Sequence, residues 1–149
     1  MPDGLIPDEG LDNVLLRILD PAGRGGSATW RLVFWVNDIT PDKDTVLADL
    51  TLATWGGYSF VTMMPGAWND PVVKDGCVTS SYGSSVLHWD CLNAAGQTNY
   101  GWAMIDPGAG VIRFIQRFDD DDITPLETGQ DVLLLPQYTL TSAACPGSP

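Results

Sequence analysis

The stretch ATWRLVFWV, residues 28–36, decides the fold class. In an extended chain it puts Trp30, Leu32, Phe34 and Val36 on one face and Arg31, Val33 and Trp35 on the other, because strand side chains alternate. Aromatic and β-branched residues over this length predict a strand. Both faces are largely apolar, whereas a strand with one solvated face alternates apolar with polar. Both faces are therefore expected to be covered, the second by a helix or by another chain. On that reading Val33 and Trp35 are candidate interface residues.

Upstream of this strand lies the connector GRGGS, and before it Leu11, Val14, Leu15, Ile18 and Leu19 recur at helical spacing. Pro21 and Gly23 end the pattern, so a short amphipathic helix is expected over 11–19. Residues 1–10 read as an extended arm, with Ile6 and Pro7 as further interface candidates. Downstream, strands are expected over 58–63, 72–80, 84–91, 100–106, 111–118, 131–135 and 138–141. The second and third of these flank YGSS and predict a hairpin. The fourth and fifth flank PGAG, another hairpin signal. Pro136 marks an edge or a bend, and 143–149 reads as a loose tail.

Short strands at this spacing predict a mainly β chain, an antiparallel β-sandwich or jelly roll with one N-terminal helix, as a single domain over 11–142. Phe34, Phe60, Trp102, Phe114 and Leu134 are the expected core. Ile112, Phe114 and Phe118 alternate with Arg113 and Arg117, which predicts one apolar face for the second PGAG strand.

Composition narrows function by exclusion. Nineteen acids face seven bases for a net charge of −12, and only Glu9 and Glu127 are glutamates. Nucleic-acid binding needs a basic footprint, so direct contact with DNA or RNA is not expected, nor is an anionic membrane surface. No run approaches a membrane span. The opening MPDGLIPDEG lacks the basic and apolar regions of a secretory leader, so folding in a cytoplasm is expected. Cys77, Cys91 and Cys145 contain no C-x-x-C, which speaks against a disulfide framework and against zinc fingers, and leaves a Cys77–Cys91 bridge open.

Candidate chemistry is sparse. His88 is the only histidine, with Asp90 two residues on and Ser84 and Ser85 nearby. Strand neighbours at that spacing stand about 7 Å apart, so direct pairing is not expected, and no G-x-S-x-G accompanies them. A strand histidine with an ordinary polar partner is the expectation. Asp119–Asp122 and the looser group Asp38, Asp42 and Asp44 lack calcium-loop spacing and read as solvated loops. Asp38-Ile39-Thr40-Pro41 recurs as Asp122-Ile123-Thr124-Pro125, which shared turn chemistry accounts for. No catalytic residue, cofactor or metal site is expected.

Some motifs carry a resemblance. Ile6-Pro7-Asp8-Glu9-Gly10 precedes the Leu-rich helix. Asn37-Asp38-Ile39-Thr40-Pro41 follows a strand, then Thr45-Val46-Leu47-Ala48-Asp49-Leu50-Thr51 and Gly57-Tyr58. Tyr100-Gly101-Trp102 and Asp106 open a hairpin whose return strand ends at Phe118. In this order, over nearly the whole chain, they resemble a family of small virion structural proteins of tailed bacteriophages. The resemblance implies no enzyme. It implies a virion structural role, as a capsid decoration or cement protein or in fibre attachment. The doubly apolar strand 28–36 adds the expectation of self-association, as a trimer, and of contact with the major capsid protein of the virion, after folding in the host cytoplasm. The alternative is a tail-fibre or receptor-binding module for a host-surface glycan.

Overall fold

The computed structural model describes residues 30–63, 68–69, 72–74, 77–83 and 86–141. The expected arm 1–10 with Ile6 and Pro7, the helix 11–19 and the tail 143–149 lie outside the described residues. The described chain is mainly β, in antiparallel sheets, with two short 3-10 turns at Leu47–Asp49 and Asp120–Asp122. It divides into two compact units, Ala28–Met64 with His88–Leu133, and Met1–Ser27 with Pro65–Leu87 and Leu134–Pro149.

The first unit is built on a four-stranded sheet. Its strands are β1 (Trp30–Trp35), β2 (Val61–Met63), β6 (Gly101–Asp106) and β7 (Val111–Arg117), in the order β2-β1-β6-β7. Register pairs Phe34 with Trp102 and Val33 with Ala103. One face therefore carries Leu32, Phe34, Trp102 and Met104, all buried. The other carries Val33, Trp35, Ala103 and Ile105, with Ile39, Leu47, Leu50 and Leu52 packed over them. The doubly apolar strand is covered on its second face by its own chain. Val33 (3% exposed) and Trp35 (0%) are core residues, which corrects their expected place at an interface. Residues 51–53 also bond the edge of β1, Val36 N–H donating to Thr51 O at 2.8 Å and Ala53 N–H to Phe34 O at 3.0 Å. The acidic loop between is what lets the chain double back.

Gly101 is required by this packing. A Cβ there would overlap the Trp35 ring and the Gln116 carbonyl. The ring packs against a position where only glycine leaves room for it.

The β6–β7 hairpin forms as expected around PGAG. Asp106 accepts from Gly108 N–H and Ala109 N–H, each at 3.1 Å, and its other oxygen takes Arg113 at 2.9 Å. The Arg113 guanidinium and these amides hold the Asp106 carboxyl below its ordinary value. Register jumps between Met104↔Phe114 and Ile105↔Ile112, so Arg113 is an extra residue, a β-bulge. The bulge overturns the expected alternation. Ile112 packs on the Trp35 side with Ile115, whereas Phe114 packs tilted against Trp102, ring centroids 4.9 Å apart, on the opposite side. Phe114 is half-buried, and Phe60 is exposed (47%) with Arg31 over its ring, so neither matches its expected burial. Leu134 is half-buried as well, while Phe34 and Trp102 are core as expected.

β5 (Leu87–Asp90) pairs with β8 (Asp131–Leu134) as a two-stranded ribbon. In the second unit β3 (Val72–Lys74), β4 (Cys77–Ser81) and β9 (Gln137–Thr141) form a sheet in the order β3-β4-β9. The hairpin expected across YGSS is therefore absent, because β4 pairs with β3 and β9 and β5 pairs with β8. Tyr82 is spent elsewhere: its N–H donates to the Pro136 carbonyl at 2.9 Å and its ring meets Trp68 edge-on at 5.3 Å. Cys77 takes part in a disulfide and Cys91 is a buried free thiol, so no bridge joins these two.

Candidate functional site

The acids that dominate the composition are mostly turn makers. Asp42 accepts from Asp44 N–H at 2.9 Å and from the Thr45 hydroxyl at 3.1 Å, and Asp49 accepts from Val46 N–H at 2.9 Å. These are side chains closing their own loops. Asp120–Asp122 form an exposed 3-10 turn. Arg117 bridges the two DITP loops, bonding the Ile39 carbonyl at 2.8 Å and pairing with Asp38 at 2.9 Å and Asp120 at 3.6 Å.

Beside them a cleft of about 400 Å³ opens in the first unit. Phe118, Leu126 and Val132 give it apolar walls, and Asp122, Gln130 and Asp131 give it polar ones. Its floor includes Phe34 and Asn99. The floor is rigid: Asn99 is buried and accepts from the Trp55 indole at 3.1 Å. Phe34 meets Trp89 edge-on at 5.0 Å, and its N–H donates to the Tyr58 hydroxyl at 3.3 Å. Burial pushes the Tyr58 hydroxyl above its ordinary 10.0, against the opposing pull of that hydrogen bond.

Asp131 of that wall meets the only histidine. His88 Nε2 is 3.3 Å from Asp90 Oδ1 and 3.1 Å from Asp131 Oδ1. The pairing with Asp90, not expected from backbone spacing, forms because both side chains lean over the same ribbon face. One ligand atom from each of the three residues lies within 4.8 Å of the others. All three residues are exposed. Between His88 and Asp90, Trp89 points the other way, buried, with its indole donating to Ser59 O at 2.9 Å. Cys91 is fully buried, and its backbone bonds Gln130 O and Gly129 N–H at 2.9 and 2.7 Å. The ribbon backbone is thus pinned on both sides of the cluster.

Among the described residues, no helix is long and apolar enough to cross a membrane.

Comparison with protein-family models, with curated proteins and with solved structures finds no match.

Function is therefore read from the geometry and from the sequence. Asp131 was invisible to sequence reading, being 43 residues from His88. Only the pairing of β5 with β8 brings them together. The cleft walls come from the loop joining β7 to β8 and from β8 itself, with no local pattern to announce them. Ser84 and Ser85, weighed beside His88 in the sequence, lie outside the described residues.

Proposed function

We propose that this chain is a structural protein of a tailed-bacteriophage particle, non-catalytic, and that it decorates the head. The observation that carries the reading is a contrast in side-chain use. None of the six tryptophans is exposed, five being buried and Trp68 half-buried. Large aliphatic side chains stand in solvent instead, Leu92 at 70% and Leu133 at 62%. A chain that spends its tryptophans inside and leaves leucines such as these two outside has surface to give to a partner. The contact surface then moves from Val33 and Trp35 to these residues, with 1–10, including Ile6 and Pro7, as an attaching arm. The partners are the major capsid protein and further copies of the chain, as a trimer. An acidic exterior suits a position away from packaged DNA. The Cys77 disulfide suits a particle that leaves a reducing host cytoplasm, since disulfides persist at virion surfaces. We also read the β5–β8 ribbon over the four-stranded sheet, joined through Trp89 and Phe34, as the two layers of a small β-sandwich.

The test adds purified protein to undecorated heads at physiological salt and measures occupancy for the parent, Leu133→Asp and a deletion of residues 1–10. Saturable binding by the parent, weakened in both variants, is expected. A parent that leaves heads bare refutes the decoration reading.

A second reading is favoured by the cleft. Apolar walls beside Asp122, Gln130 and Asp131 suit a sugar ring, whose C–H face packs on Phe118 while its hydroxyls donate to the carboxylates. In that case the chain is a receptor-binding module, and it binds host-surface polysaccharide in place of heads.

A further inference from the structure

We propose that His88, Asp90 and Asp131 form a binding site for one divalent ion of the zinc class. Three observations lead there. The first is spacing. An ion held at about 2.1 Å by two ligands at a tetrahedral angle keeps those ligand atoms about 3.4 Å apart. The His88 nitrogen lies 3.3 and 3.1 Å from its two carboxylate oxygens, so two of the three edges already have that length. The third pair, within 4.8 Å, closes by a modest rotation of exposed carboxylates.

The second observation is a shortage of protons. A neutral imidazole nitrogen carries at most one hydrogen, yet two carboxylate oxygens face Nε2. Nε2 offers these two anions one hydrogen, and an ion in its place accepts a lone pair from all three. The third is mounting. His88 and Asp90 share a face of β5, and Asp131 opens β8, its partner strand. The buried Trp89 and Cys91 anchor the backbone beneath them, so little order is lost on binding.

The donor set selects the ion. One imidazole with two carboxylates suits zinc, cobalt or nickel. Calcium takes six to eight oxygens, and magnesium a near-octahedral shell of oxygen and water. Water completes the coordination on the exposed side. The net charge of −12 raises the local concentration of cations without choosing among them. The site shares Asp131 with the cleft, but its test involves neither heads nor glycan.

The experiment uses the full chain stripped with chelator and titrated with Zn2+, and with Co2+ as a spectroscopic probe. Because His88 is the only histidine, its ring resonances report on this site alone. We expect one ion per chain, with the His88 ring signals moved by Zn2+ and shifted paramagnetically by Co2+. His88→Ala and Asp131→Asn should each weaken binding at least about tenfold. Both residues are exposed, so the metal-free melting temperatures should match the parent. Replacing Asp119–Asp122 with Asn should weaken binding far less than either of these, since it removes only screened background charge. Ring signals that do not move at saturating Zn2+ overturn the proposal. So does zinc binding that survives His88→Ala and Asp131→Asn undiminished, which would mean adventitious ions on an acidic surface.

Discussion

Replacing Gly101 with Ala probes the packing that puts Trp35 inside the chain. The new Cβ meets the Trp35 ring and the Gln116 carbonyl, both closer than real Cβ contacts come. Neither neighbour has free space, since Trp35 is 0% exposed and Gln116 pairs with Trp102 across the hairpin. Overpacking of a well-filled core typically costs about 1–3 kcal/mol. Here a backbone atom must move as well, so about 3 kcal/mol or more is expected. For a chain of this size that is a fall of roughly 6–12 °C in melting temperature. Urea unfolding followed by tryptophan fluorescence reads it directly, because Trp30, Trp35, Trp55, Trp89 and Trp102 all lie in the first unit. The midpoint should drop with the slope unchanged. In a Trp35→Leu background the added cost of Gly101→Ala should shrink by about 1–2 kcal/mol, a coupling typical of residues in contact. It should not vanish, because the Gln116 carbonyl remains. A Gly101→Ala variant within about 0.5 kcal/mol of the parent would refute the reasoning and return Trp35 to the surface.

Alkaline pH tests the floor of the cleft. The Tyr58 value is raised on folding, so folding favours its protonated form. That contribution is whole below the ordinary 10.0 and is lost as pH rises through the folded-state value. Urea midpoints should therefore fall at alkaline pH in the parent, and Tyr58→Phe should flatten that fall. At neutral pH Tyr58→Phe should cost about 1 kcal/mol, because Phe34 N–H loses its acceptor; an equally steep alkaline fall in the variant would exclude Tyr58 as its source. Changing Asp119–Asp122 together to Asn should leave the melting temperature within a few degrees of the parent, since the turn is exposed and its ion pair with Arg117 is long at 3.6 Å. Unfolding of that variant, with calcium rescuing the parent from chelator, would show that the run is a metal loop.

Residue type by itself determined that this is a β chain and where most of its strands lie. Trp30–Trp35 and Val111–Arg117 are rich in aromatic and β-branched residues, and the PGAG turn joins its strands as its residues require. Period also showed that both faces of β1 are covered. It could not say by what, because cover is a matter of distant segments, and here residues 39–52 of the same chain supply it. A local rule failed at Arg113 for a similar reason. One bulged residue turns Ile112 and Phe114 to opposite faces, and only pairing with β6 reveals it. The same limit governs the candidate site. Sequence could place His88 beside Asp90 but could not bring Asp131 to them, since strand partners are chosen by the tertiary fold. A side chain's residue type sets what it can bind, and the backbone pairing of β5 with β8 decides which side chains it binds with.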